Sequence, residues 1–282
     1  MNHATFFVSP GRCGTQWLCK TLQGAYGDRA QITHEPIKRA YQPKKYLRHP
    51  RIEELKEEPV VADHLAFIHE TLSRRPYIET GWPSYVALPL LAKEFAGRLR
   101  VVHLVRNPVR VALSMTTHGF YRREGVATLA PEDPGVLQVP ARDWSRMTQY
   151  EKCLFCWTEV NLLALEFHEK YPAVPYHRVR FEDLLSADGS HFEQLVGFMM
   201  LPPNPTLVDA ASNRVDAHHK KARPVDWRLV FGHPQTVELA RRLGYPLDDF
   251  SDSALTRRYF KWRRLAKARR SVVRAFRRIV LG

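Results

Sequence analysis

Short apolar, β-branched-rich runs alternate along this chain with longer stretches of helical spacing. TFFVS (5–9) predicts a buried strand, and 15–25 the helix that follows it. QIT (31–33) and PVVA (59–62) predict two more strands, 65–74 a helix, YIET (77–80) an extended segment and 84–95 another helix. RVVHLV (100–105) is the strongest strand pattern, with a helix behind it from about Val109 to Thr117. Residues 119–141 hold three prolines and three glycines and predict a loop or lid. A long helix is expected from about 142 to 170, then YHRVRF (176–181) as a strand. This alternation predicts an α/β fold with a parallel central sheet flanked by helices. Such sheets bind ligands at the carboxyl ends of their strands, where strand order switches.

Composition narrows the class. A chain of 282 residues, 44% of them hydrophobic and 26% charged, can build a full core without staples and reads as a soluble globular protein. No apolar run approaches the ~20 residues of a membrane span. The first residues enter a strand-like run without a charged leader, so a cytoplasmic location is expected. Cys153 and Cys156 form a C-x-x-C inside the long helical pattern, which predicts buried thiols and no redox or metal pair.

The net charge of +14 suggests nucleic acid until it is located. After Ser253 there are eleven Lys/Arg and no acid, which leaves 32 basic against 29 acidic residues in the body. The excess is a property of the tail, and no specific nucleic-acid partner is expected. In 257–282, Trp262, Leu265, Val272, Val273, Phe276, Ile279 and Val280 recur at helical spacing among arginines. Such a helix either docks peripherally on an anionic membrane or an acidic partner, or packs its apolar stripe on the body. The expected division is a domain over 1–253 and a basic amphipathic helix over 254–282.

Two segments carry chemistry. The first strand runs into Ser9-Pro10-Gly11-Arg12-Cys13-Gly14-Thr15-Gln16-Trp17. A glycine-bearing turn that opens a helix presents unpaired N–H groups and a positive dipole end to an anion. Arg12 adds a full charge, and Thr15 and Gln16 add side-chain donors. The G-x-x-x-x-G-K-[ST] pattern with its Mg²⁺-holding hydroxyl is absent. In the second segment Arg106 follows the strongest strand, Asn107-Pro108 turns into a helix, and Ser114 lies two turns further on. An arginine at a strand end and a serine on the adjoining helix can clamp one phosphate from two sides.

On these motifs the chain resembles the sulfotransferases that use 3′-phosphoadenosine-5′-phosphosulfate (PAPS). Arg12-Cys13-Gly14-Thr15-Gln16-Trp17 is similar to that family's phosphosulfate loop, with Cys13 in the usual serine place. Arg106-Asn107-Pro108 through Ser114 is similar to its 3′-phosphate motif at the family's own spacing. YIETGWPSYVALPLLAKEF, Trp157 to Asn161, VRFEDLL (179–185) and DWRLVFGHPQTVELARRLGY (226–245) echo further segments. The resemblance implies PAPS as donor substrate and no metal. Arg12, Cys13 through its N–H, Gly14, Thr15 and Gln16 would hold the phosphosulfate, and Arg106 and Ser114 the 3′-phosphate. Trp17 either stacks on adenine or is a core aromatic. Arg214, Lys220, Lys221 and Arg223 are alternative basic contacts to the 3′-phosphate.

Sulfuryl transfer needs charge neutralisation on the moving group and a base for the acceptor. Arg12 is the charge stabiliser. Glu35, in Thr33-His34-Glu35-Pro36, stands 23 residues after Arg12, about where carbohydrate- and tyrosine-directed branches of the family carry a glutamate base. His64, at the end of the expected 59–62 strand, is the runner-up. Glu182 and Asp183 are expected to cap a helix start, and Glu79, Trp82 and the 119–141 loop to line the acceptor pocket. The acceptor expected is a hydroxyl on a carbohydrate or glycolipid, with a small molecule left open. A Mg²⁺-dependent nucleotide kinase and a binding protein without turnover stay open as alternatives.

Overall fold

The computed structural model describes residues 1–122, 129–186, 189–204, 222–247 and 250–260. Five parallel strands form one sheet: β1 (Ala4–Val8), β2 (Gln31–His34), β3 (Tyr77–Thr80), β4 (Leu99–Val105) and β5 (Tyr176–Arg180), in the order β2-β3-β1-β4-β5. All five residues of β1 are buried, as expected of a central strand covered on both faces. The chain leaves β1 for β2 and β3 on one side and then crosses to β4 and β5 on the other. Strand order therefore switches between β1 and β4, which opens a crevice at their carboxyl ends.

The helices are α1 (Thr15–Tyr26), a short α2 (Pro43–Tyr46), α3 (Pro59–Arg74), α4 (Leu88–Glu94), α5 (Pro108–Thr117), α6 (Ala141–Arg146), α7 (Gln149–Lys170), α8 (Ser190–Phe198), α9 (Pro234–Arg242) and α10 (Asp252–Tyr259). Two elements differ from expectation. PVVA (59–62) is the first turn of α3 and not a strand. Pro59 suits a helix start, and Val61, Leu65, Ile68 and Leu72 are buried at helical spacing while Val60 is 54% exposed. Two adjacent valines are too short a run to override that period. The helix expected over 142–170 is two helices, parted by extended Met147 and Thr148. Thr148 Oγ1 accepts from the Glu151 N–H, and the Glu151 carboxylate accepts from the Thr148 N–H. This reciprocal cap starts α7 afresh.

The described part of 119–141 has no helix or strand before Ala141. It is held from the body. The Glu159 carboxylate accepts the N–H groups of Val136 and Leu137, and Arg48 donates to Gly135 O at 2.7 Å. Cys153 and Cys156 are buried free thiols in α7, as expected, and burial pushes the Cys156 thiol up to about 12. The expected basic helix lies mostly outside the described residues. Its first turns belong to α10, whose Leu255 and Tyr259 are buried, and the Ala222 N–H donates to Tyr259 O. Among the described residues no helix is long and apolar enough to cross a membrane.

Trp157 and Asn161, one turn apart on α7, both fasten β4. Trp157 Nε1–H donates to Arg106 O at 2.9 Å, and Asn161 Oδ1 accepts from His103 Nε2–H at 2.7 Å. Tyr176 hydroxyl meets His103 Nδ1 at 2.6 Å, so the fully buried neutral imidazole is satisfied on both nitrogens. Burial lowers its pKa from the ordinary 6.5 to about 4. The folded value lies below the unfolded one. This stabilisation is therefore complete above pH 6.5 and is lost as pH falls toward 4, on the order of 3 kcal/mol over the window. Urea unfolding at pH 7.5, 6 and 5 should show stability falling more steeply in wild type than in His103→Gln, by about one proton. Equal slopes would remove His103 from the pH dependence.

Candidate active site

The loop after β1 lies at the switch point. Gly11, Arg12 and Gly14 all have positive φ, at 80°, 58° and 91°. At Gly14 a Cβ would fall 2.1 Å from Phe181 Cε2, so any side chain there collides with the aromatic ring as well as being strained. Gly14 is also the N-cap of α1 and has no side chain to cap it. The first-turn N–H groups of this 12-residue helix are thus left for an anion. Arg12 is the only non-glycine of the three, a conformation that costs on the order of 1 kcal/mol.

Arg106 holds that strained residue. Its Nη1 donates to Arg12 O at 3.0 Å, and Arg12 Nε donates in turn to Ser114 Oγ at 3.1 Å. The three charged or polar side chains expected from two distant motifs therefore meet. Asn107 makes this possible: its side chain accepts from the N–H groups of Val109 and Arg110 and caps α5, so the chain turns just after Arg106. The Arg106 guanidinium lies 4.6 Å from the Phe181 ring centre. Its Nε faces Glu182 Oε1 at 3.8 Å, and among the described residues both buried atoms lack a hydrogen bond. Burial first, and then the Arg106 charge, push Arg12 below its ordinary pKa, with nearby Glu35 offsetting part of this. Two guanidinium groups forced together on an uncapped helix start form a cradle for a multiply charged anion.

Glu182 and Asp183 do not cap a helix through their side chains. Asp183 is taken by Arg180 through two bonds of 2.8 Å. Glu182 Oε2 meets the Tyr245 hydroxyl at 2.8 Å, and that hydroxyl also lies 3.1 Å from Val105 O. The acid so close after β5 is drawn to the arginine and phenol beside it instead of to free N–H groups.

The remaining loop residues divide by direction. The Cys13 thiol is fully buried, donates to Gly11 O at 3.4 Å and is pushed up to about 12 by burial, so only its N–H can face a ligand. Thr15 is 6% exposed and Gln16 lies on the surface. Trp17 is 8% exposed and sits edge-on to Phe181 and Phe192, with ring centres at 5.5 and 6.2 Å. Arg223 is exposed beside Ala222, which is tied to α10; Arg214, Lys220 and Lys221 lie outside the described residues.

Glu35 directly follows β2 with φ 49°, its N–H on Thr80 O at 3.3 Å. Its side chain is 25% exposed, 3.8 Å from His34 Nε2. His34 turns its Nδ1 back to Thr80 O at 2.6 Å. His64 does not end a strand. It is buried in mid-α3, bonded at 2.8 Å to Glu79 Oε2. Glu79 is 1% exposed and also receives the Tyr77 and Tyr41 hydroxyls, so it faces the interior and not an acceptor. Trp82 lies against the loop, 3.5 Å from where a Gly11 Cβ would stand. Among the described residues no cluster of side chains suits a metal ion. Sequence reasoning missed the supporting ring of Phe181, Glu182 and Tyr245; the quoted VRFEDLL segment contained the first two without showing what they hold.

The sequence matches the sulfotransferase domain over residues 3–232. Among solved structures it is similar to the sulfotransferase domain from the curacin biosynthetic pathway, with a TM-score of 0.53 and 16% identity over 88% of this chain and 99% of that one. It is also similar to the sulfotransferase from Alicyclobacillus acidocaldarius, with a TM-score of 0.50 and 16% identity over 90% of this chain and 99% of that one. At these identities the likeness is one of fold. No curated protein matches the sequence. With a parallel sheet, an anion cradle at its switch point and a domain match over most of its length, the chain belongs to the sulfotransferase family, whose members transfer a sulfuryl group.

Proposed function

We propose that this chain moves the sulfuryl group of PAPS to a hydroxyl of a carbohydrate or glycolipid acceptor. The observation that carries the proposal is the convergence of Arg12, Arg106 and Ser114 on the uncapped start of α1. A donor with a phosphosulfate at one end and a phosphate at the other needs cations at two points of one crevice. The N–H groups of 13–16 and the Arg12 guanidinium would hold the phosphosulfate. Arg106, whose Nε lacks a hydrogen bond, and Ser114 would take the 3′-phosphate.

In the transfer, the acceptor oxygen attacks sulfur in line as the bond from sulfur to the phosphate oxygen breaks. Arg12 neutralises charge on the moving group and on the departing phosphate. Glu35 would take the acceptor proton. It directly follows β2, is partly open to solvent and lies near enough to raise the Arg12 pKa. His64 lacks that access, since its Nε2 is spent on buried Glu79. The half-buried Trp82 ring beside Gly11 offers a flat apolar face of the kind that suits a sugar ring. A cytoplasmic enzyme with its basic tail on an anionic membrane fits a glycolipid acceptor; vesicles of anionic lipid at physiological salt test that docking, and no binding refutes it.

Calorimetry with 3′-phosphoadenosine-5′-phosphate tests the donor site. Arg12→Ala and Arg106→Ala should each weaken binding about 100-fold, as expected for a desolvated charge pair, with ATP a poor competitor. Undiminished binding in both variants would sink the donor assignment. Glu35→Gln should leave this nucleotide affinity unchanged and lower kcat about 10²–10⁴-fold. If turnover survives in Glu35→Gln, the base is elsewhere.

A further inference from the structure

A second cationic concavity lies behind the cradle. It is a cavity of about 340 Å³ walled by β5, α8 and the turn after α9. Its polar lining comes from Arg178 and Arg180 of β5, His191 and Gln194 of α8, and Arg242 at the end of α9, with His177 and Asp183 beside them. Among the described residues Asp183 is the only acid in this lining, and Arg180 spends itself on it, with two bonds of 2.8 Å to Asp183 and a third of 2.7 Å to Gly244 O, so the free charge is that of Arg178 and Arg242. Arg178 is exposed and has no acidic partner among the described residues. Among the described residues Arg242 has only a 3.6 Å approach to Glu169, with both side chains more than half exposed. Such a surface pair is worth little and yields readily to a ligand.

The sheet edge points the same way. Among the described residues β5 is an edge strand, paired only with β4. The Phe181 N–H is bonded to Val105 O on β4. In a parallel ladder alternate residues face the neighbour, so the Arg178 N–H points outward as an added donor. Gly189, the N-cap of α8, has no side chain to cap the helix start beside His191, whose first turn also carries Glu193. Burial, and after it the neighbouring His191 imidazole, lower the pKa of His177. Arginines on an edge strand also discourage sheet-to-sheet pairing. That role does not call for a third arginine converging from α9, or for a concavity in the size range of small-molecule sites.

We propose that this cavity is a second anion site, which takes a phosphate or sulfate monoester of about monosaccharide size. It shares no residue with the nucleotide cradle. The two stand back to back across 180–183: Phe181 and Glu182 face Arg106, while Arg180 and Asp183 line the cavity. The proposal does not depend on the identity of the sulfuryl donor.

Calorimetry on the full chain with glucose 6-phosphate, glucose 6-sulfate, inorganic phosphate, inorganic sulfate and glucose decides it. The esters should bind at least tenfold more tightly than the bare ions and than glucose, and the better of the two esters identifies the charged group. The double variant Arg178→Gln, Arg242→Gln should weaken ester binding at least tenfold, whereas Arg106→Ala should leave it unchanged. Both substituted arginines are exposed, and circular dichroism of the double variant checks its fold. In wild type, ester addition should shift the imidazole resonances of His177 and His191. The proposal is overturned by ester binding that survives the double substitution, that disappears with Arg106→Ala, that is no tighter than for the bare ions, or that is absent.

Discussion

The contact on which the site depends is the donation from Arg106 Nη1 to the Arg12 carbonyl. It joins the ends of β1 and β4 across the point where strand order reverses. It also fastens the carbonyl of a non-glycine residue held in the left-handed region. Once that carbonyl is held, the Arg12 side chain is directed to Ser114 and the N–H groups of the α1 start face the crevice. Two positive charges are brought together in the process. That repulsion is offset by Glu182, whose Oε1 stands 3.8 Å from Arg106 Nε.

Around this contact the fold supplies a supporting shell. Trp157 holds the Arg106 carbonyl, Phe181 lies under its guanidinium, and Asn107 turns the chain into α5. Tyr245, far along the chain, bridges Val105 and Glu182. Each of these is rigid or caps a rigid element, so the cradle is set by strand ends and helix starts. Residues on long free loops could not hold two guanidinium groups in so defined a relation.

Much of this was legible in the sequence because it is local. The β1 run, the glycines after it, and Asn-Pro after β4 each declare their geometry within a few residues. The misreadings share a cause. PVVA has the composition of a strand, but its burial period extends beyond it into α3. The 142–170 pattern hides a fresh start at Thr148, whose reciprocal cap with Glu151 is a matter of two side chains and not of apolar spacing. His64 followed the first of these errors into a strand end it does not occupy. Partners distant in sequence, such as Glu79 for His64 or Tyr245 for Glu182, leave no trace in a local pattern. The approach of Arg12 to Ser114 was foreshadowed only because both motifs pointed to one ligand.

The contact between Gly14 and Phe181 joins three sites in one steric knot. A side chain at 14 could be admitted only by shrinking the ring at 181. Shrinking that ring would take away the π face beneath Arg106 and the edge contact that seats Trp17. Neither position can therefore drift alone, and a paired exchange would leave a guanidinium without its floor. Variation in this chain should be channelled away from residues 14, 106 and 181 as a group. The path to a different anion specificity would then run through residues that the knot does not touch, such as Ser114 and Gln16.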